Sequence, residues 1–116
     1  MPPLPLSKAI CRYMVPWLEL DWPVTWESVF GQPGPLVVEI GFGNGSFLID
    51  QAEKDPASNY VGIERSWGSV QRLFRRLDQA GLAHMRVLQG SAAFALEHLF
   101  APNGIDRIFI HFSDPW

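Results

Sequence analysis

The chain has one cysteine, no long apolar run and only nine basic residues among 116. A lone thiol excludes an internal disulfide and a cysteine-based zinc site, so Cys11 reads as a buried apolar side chain rather than a reactive one. No stretch approaches the roughly 18 consecutive apolar residues that a membrane helix needs. The start Met1-Pro2-Pro3-Leu4-Pro5 lacks the basic-then-apolar order of a secretion signal. A cytoplasmic chain without a membrane partner is expected. His84, His98 and His111 have no metal-ligand spacing, so no metal is expected and no chemistry is assigned to them.

What is present fits one domain at most: 47% apolar and 18% charged residues, enough for a modest core. The net charge of −3 argues against nucleic-acid binding through the overall field. The distribution is uneven, because Arg65, Arg72, Arg75, Arg76 and Arg86 crowd into residues 65–86. A solvated helix face is the plain explanation, and a local basic face the alternative.

Two regions differ in texture. Residues 1–34 are rich in proline and tryptophan and read as an irregular arm or cap, with a short helix around Lys8 to Met14. Trp17, Trp22 and Trp26 are expected to pack this arm onto the core rather than stack on bases. From residue 35 to 116 the pattern is regular. Leu36 to Ile40, Tyr60 to Glu64, Met85 to Gln89 and Arg107 to Phe112 read as strands. Ser46 to Lys54, Gly68 to Ala80 and Ala92 to Phe100 read as the helices between them, with Gly81 capping the second and Pro102 following the third. This alternation predicts an α/β fold with a parallel, Rossmann-like sheet of about four strands.

In such a sheet ligands bind at the carboxyl ends of the strands, and four polar signals fall there. Glu39 precedes the turn Gly41-Phe42-Gly43-Asn44-Gly45; Glu64 ends the second strand, Ser91 follows the third and Asp114 the fourth. Alternate glycines between a strand and a helix let a ligand approach the backbone near unpaired helix N–H groups. Glu64 is placed to accept hydrogen bonds from ribose hydroxyls. Glu39, inside a strand end, needs donors or a cation, from the loop amides or from a positive ligand group. Ser91 serves equally well as a helix N-cap or a ligand contact. The glycine register is G-x-G-x-G, with Ser46 where a dinucleotide fingerprint has Gly or Ala.

Glu39-Ile40-Gly41-Phe42-Gly43-Asn44-Gly45 resembles the first motif of class I S-adenosylmethionine-dependent methyltransferases. Ile110-His111-Phe112-Ser113-Asp114-Pro115-Trp116 resembles the fourth-strand signature of the tRNA (guanine-N7-)-methyltransferases, and Gly62-Ile63-Glu64 matches that family's second-strand end. The resemblance runs from about Leu36 to Trp116. It implies that Gly41 and Gly43 line the methionine side of S-adenosylmethionine, that Glu64 holds its ribose, and that Ser91 with Ala92 holds its adenine. Glu39 and Asp114 would complete that site. In the family the position of Ser91 is usually Asp or Asn. Asp114 would be the catalytic residue acting on guanine, with Pro115 and Trp116 shaping the base pocket, and tRNA would be the substrate.

Related chains continue past Asp-Pro-Trp with a basic stretch, a helix and three more strands. The expectation is therefore the N-terminal part of such a domain, with an apolar edge beside strand four or strand one through which it could associate. A non-catalytic interaction module and an NAD-type half-domain stay open as alternatives.

Overall fold

Strand β1, Leu36–Ile40, is fully buried over its first four residues, because both faces of the sheet are covered at that point. The structure, a computed structural model, describes residues 6–111, with side chains from Lys8 onward. The element order is α1 (Leu6–Tyr13), a 3-10 turn (Trp17–Glu19), α2 (Trp26–Phe30), β1, α3 (Ser46–Lys54), β2 (Asn59–Glu64), α4 (Trp67–Ala80), β3 (Met85–Gln89), α5 (Ala92–His98) and β4 (Arg107–Ile110). The four strands are parallel in the order β3-β2-β1-β4. This is the Rossmann-like arrangement that the alternating pattern predicts.

The helices from α3 onward form where the sequence places them, with small differences at their ends, while α2 in the arm was not expected. Helix α4 buries Val70, Leu73, Phe74 and Leu77 on one face, is capped by Ser66 Oγ accepting from the Ser69 N–H, and stops at left-handed Gly81. Helix α5 ends at His98, two residues before its expected end. Leu99 and Phe100 turn into the core instead. Strand β2 begins at Asn59, one residue before its expected start: the Asn59 backbone N–H donates to the Pro35 carbonyl, and its side chain bonds Gln32. The expected end of strand four at Phe112 lies outside the described residues.

The sheet separates two apolar layers. On one face Val37, Tyr60 and Val87 meet α3, α4 and Ala9 and Tyr13 of α1. On the other, Val38, Val61, Ile63 and Leu88 meet α5 together with Trp26, Val29 and Phe30 of α2. The arm thus crosses from one face to the other around the β3 edge, where Met14 bridges Val87 and the Val15 N–H donates to the Val87 carbonyl at 2.9 Å. It is more helical than an irregular arm.

One expectation needs correction, and two open alternatives are decided. Cys11 is exposed, not buried. Helix α1 turns Ala9 and Tyr13, spaced i and i+4, toward the core, which leaves Cys11 on the outer side. The open apolar edge is not at strand one, which is central and paired on both sides. With β3 covered by the arm, β4 is the edge without a neighbouring strand on its outer side among the described residues, and its Ile108 and Ile110 are 43% and 53% exposed. Nor do the five arginines make one face. Arg72, Arg75 and Arg76 lie on the outer side of α4, but Arg86 is half-buried against the arm, its guanidinium 5.1 Å from the Phe30 ring centroid and donating to the Ala83 and Met85 carbonyls.

The tryptophans pack as expected. Trp26 stacks on Phe100 at 4.9 Å and donates to the Leu99 carbonyl. Trp17 and Trp22 each lie 5.3 Å from Phe94 of α5. Among the described residues no helix is long and apolar enough to cross a membrane.

Candidate functional site

Strands β2 and β3 lie on one side of β1 and β4 on the other, so the chain reverses direction across the sheet between β1 and β4. That reversal leaves a crevice at the carboxyl end of β1, where open α/β sheets bind ligands. The glycine turn occupies it. Gly41, Gly43 and Gly45 all have left-handed φ, at 71°, 60° and 83°. At Gly45 a Cβ would stand 2.5 Å from Leu73 Cδ1, so glycine there also lets α3 pack on α4. The Asn44 side chain accepts from the Ser46 N–H, and Arg76 reaches across from α4 to bond the Asn44 carbonyl and Ser46 Oγ. Arg76 is therefore a brace for the turn as well as a solvated residue.

Glu39 points to the same face as the turn's supporting helix and is completely buried. Parallel pairing sets it opposite Phe109 of β4, and two residues on, His111 returns to that face. His111 Nε2 lies 2.7 Å from Glu39 Oε2. Even so, neither carboxylate oxygen has a well-formed hydrogen bond among the described residues. Burial pushes the Glu39 carboxyl above its ordinary pKa, against the opposing pull of His111. The loop amides do not relieve it: Gly41 N–H donates to the Ile63 carbonyl and Gly45 N–H to that of Phe42. Phe47 of α3 lies edge-on to Phe109 and His111, at 5.0 and 4.8 Å. Above the pair is an open cavity of about 370 Å³ lined by Gly41, Phe42, Gly43, Phe47 and His111 among others.

One strand over, Glu64 ends β2 half-buried, one oxygen accepting from the Arg65 N–H at 3.0 Å and no cation on it among the described residues. The Gly90 N–H donates to the Glu64 carbonyl, which ties the tips of β2 and β3 together. Ser91 caps α5, its Oγ accepting from the Phe94 N–H at 3.3 Å. It also lines a second cavity, about 190 Å³ and mostly apolar, with Leu88, Gly90, Phe94 and Leu99. Ala92 opens α5 but does not line that cavity.

The sequence therefore identifies Glu39, Gly41, Gly43, Glu64 and Ser91, and the fold brings all five to one rim of the sheet. Asp114, Pro115 and Trp116 lie outside the described residues. Two residues escaped sequence reading. His111 was without chemistry because its pairing with Glu39 depends on strand register. Trp17 lines the second cavity from the arm, far along the chain from the other lining residues, which run from Ile63 to Leu99.

Comparison with known proteins agrees with this layout. A family model described as "Putative methyltransferase" matches residues 33–116. A tRNA (guanine-N(7)-)-methyltransferase of Thermus thermophilus is 42% identical over 95 residues, covering 82% of this chain and 30% of the relative. That of Xanthomonas campestris is 44% identical over 90 residues, covering 78% and 34%. A Burkholderia cenocepacia relative is 34% identical over 105 residues, covering 90% and 40%. The chain thus spans 30–40% of the length of these curated relatives.

Among solved structures, the C-terminal domain of precorrin-6Y C5,15-methyltransferase from Rhodobacter capsulatus superposes with a TM-score of 0.56 at 27% identity, over 72% of this chain and 43% of that one. A precorrin-6y C5,15-methyltransferase from Geobacter metallireducens gives 0.60 at 21% identity over 80% and 52%, a likeness of fold. The chain belongs to the tRNA (guanine-N7-)-methyltransferase family, with the Rossmann-like fold of class I S-adenosylmethionine-dependent methyltransferases.

Proposed function

We propose that residues 35–116 form the cofactor-binding half of a tRNA (guanine-N7-)-methyltransferase domain, preceded by an arm of residues 1–34. One observation carries the reading. A buried carboxylate short of donors, a left-handed glycine turn, a carboxylate without a counter-ion and a serine-rimmed apolar cavity follow one another along the strand ends. S-adenosylmethionine supplies a methyl group on a positive sulfur, together with an ammonium, a ribose diol and a flat purine that match those features in order.

In this reading Gly41 and Gly43 leave the backbone open to the methionine part, and Glu39 and Asp114 complete that side. Glu64 accepts from the ribose hydroxyls, and Ser91 borders the adenine, with Ala92 outside the cavity wall. Methyl transfer breaks the sulfur–carbon bond, with its electron pair staying on sulfur. The in-plane lone pair of guanine N7 forms the new bond. No proton leaves N7, so a general base is unnecessary. Positive charge passes to the purine, where the Asp114 carboxylate stabilises it and holds the N1–H and amino edge in line. Pro115 and Trp116 shape the base pocket. The partner is tRNA, and the site of action the cytoplasm.

Calorimetric titration with S-adenosylhomocysteine, and competition against NAD, tests the cofactor assignment. Saturable binding that NAD does not displace supports it, whereas displacement by NAD assigns the turn to a dinucleotide instead. Full methyl transfer by an Asp114→Asn enzyme of this family carrying these residues would remove Asp114 from its catalytic role.

A further inference from the structure

The cavity at the tip of β3 has one wall that no strand end supplies. Trp17 lines it, half-buried, facing the same space as Leu88, Gly90, Ser91, Phe94 and Leu99. The segment carrying Trp17 is fixed on both sides. Before it, the Val15 N–H donates to Val87 of β3 at 2.9 Å; after it, the Val24 N–H donates to the Leu99 carbonyl at 3.1 Å. Both valines are buried. Trp22 Nε1 donates to the Trp17 carbonyl at 2.8 Å, and the two indoles pack with Phe94. The arm therefore straps across this cavity, and Trp17 is held there by two backbone anchors rather than by its ring alone.

We infer that Trp17 is a wall of the purine subsite, so that docking of the arm and binding of an adenosine group support one another. The inference rests on the cofactor reading above. A purine has two apolar faces and a polar edge. The cavity offers aliphatic surface from Leu88 and Leu99, aromatic surface from Trp17 and Phe94, and polar atoms at Gly90 and Ser91. Ser91 Oγ already accepts from the Phe94 N–H, so its reach toward an amino group is short. Apolar contact with Trp17 then carries a larger share of purine recognition. Linkage makes the effect reciprocal: whatever an adenosine group gains from the docked arm, the arm gains from the adenosine group.

The test uses this chain with two probes, S-adenosylhomocysteine and 5′-methylthioadenosine, which share the adenosine and differ in the amino-acid end. Loss of one base–aromatic contact is worth about 1–3 kcal/mol, so Trp17→Ala is expected to weaken both probes about tenfold. Trp17→Phe should restore most of that affinity. Leu18→Ala, next to it in sequence but 78% exposed, should leave both unchanged. If Trp17→Ala does not fold, hydrogen exchange of residues 15–24 in the unaltered chain decides: protection on adding either probe supports the coupling, and no change overturns it. Should the unaltered chain bind neither probe, the cofactor reading itself falls. Should it bind both and Trp17→Ala bind them equally well, Trp17 alone is excluded.

Discussion

His111 Nε2 stands 2.7 Å from Oε2 of Glu39, and the two residues meet only because β4 lies beside β1 in parallel register. The imidazole is partly open to solvent and lines the glycine-turn cavity, while the carboxylate behind it is fully enclosed. A carboxyl group held in this way destabilises the fold when ionised and is suited to a cationic ligand.

The pH dependence of stability follows from that enclosure. Burial raises the Glu39 pKa above its ordinary value of 4.5. The folded state then binds more protons than the unfolded one, so this group's contribution falls as pH rises from about 4.5 to the raised value. Glu39→Gln is expected to raise Tm at pH 7 and to flatten the Tm–pH curve over that window. It should also weaken S-adenosylhomocysteine binding tenfold or more, in line with the roughly 1.5–3 kcal/mol of a hydrogen bond to a charged group. Thermal melts from pH 4 to 8 with and without the ligand would reveal both; a lower Tm at pH 7 would contradict the argument.

The opposite end of the sheet should respond in the other direction. Asp55 is held below its ordinary pKa by hydrogen bonding from Ser58 and then Tyr60, with Arg107 at 2.9 Å adding attraction. Its stabilising contribution is present at neutral pH and is lost as pH falls below about 3.8. Tyr60, donating to Asp55 at 2.9 Å and largely enclosed, has its hydroxyl pushed up to about 12. Its contribution is lost as pH rises from about 10 toward 12. Asp55→Asn should lower Tm at pH 7 and reduce the loss on acidification. A double-mutant cycle with Tyr60→Phe should show coupling; additive effects would mean that the 2.9 Å contact is energetically silent.

Two glycines of the turn should separate folding from ligand access. A Cβ at Gly45 meets Leu73 at 2.5 Å and the residue has φ 83°, so Gly45→Ala should cost more than the backbone term of about 1–2 kcal/mol alone in urea denaturation. Gly43, at φ 60°, has no atom within 4 Å of such a Cβ. Gly43→Ala should cost only the backbone term of about 1–2 kcal/mol, yet weaken S-adenosylhomocysteine if, as proposed, the open space there takes the ligand. Unchanged affinity in Gly43→Ala would place the ligand elsewhere.

Among the described residues, Ile108 and Ile110 leave an apolar surface on the outer side of the edge strand β4. Such an edge pairs readily with another copy of itself. Sedimentation velocity should show concentration-dependent association of this chain that Ile110→Lys reduces. Equal association by both forms would exonerate the strand.

Local pattern carried much of the fold. Short β-branched runs, the i, i+3, i+4, i+7 spacing in α4 and Gly81 at its end place the elements from β1 to α5 to within about two residues, because these signals depend on neighbours along the chain. The strand-end residues Glu39, Glu64 and Ser91 were legible for the same reason: a parallel sheet sends the carboxyl ends of all its strands to one rim. Cys11 shows where local reading fails, since a short helix fixes which residues share a face but not which face is covered.

The sequence by itself determined the parallel α/β fold, the glycine turn, the strand-end carboxylates Glu39 and Glu64 and the family. Tertiary structure alone decided that β1 is central and β4 an edge strand among the described residues, that His111 meets Glu39, that Arg76 braces the turn while Arg86 holds the arm, and that Trp17 reaches the cavity beside Ser91. The reason is physical. Each of those contacts joins elements distant in the chain, and their registry is set by which apolar faces can be buried together.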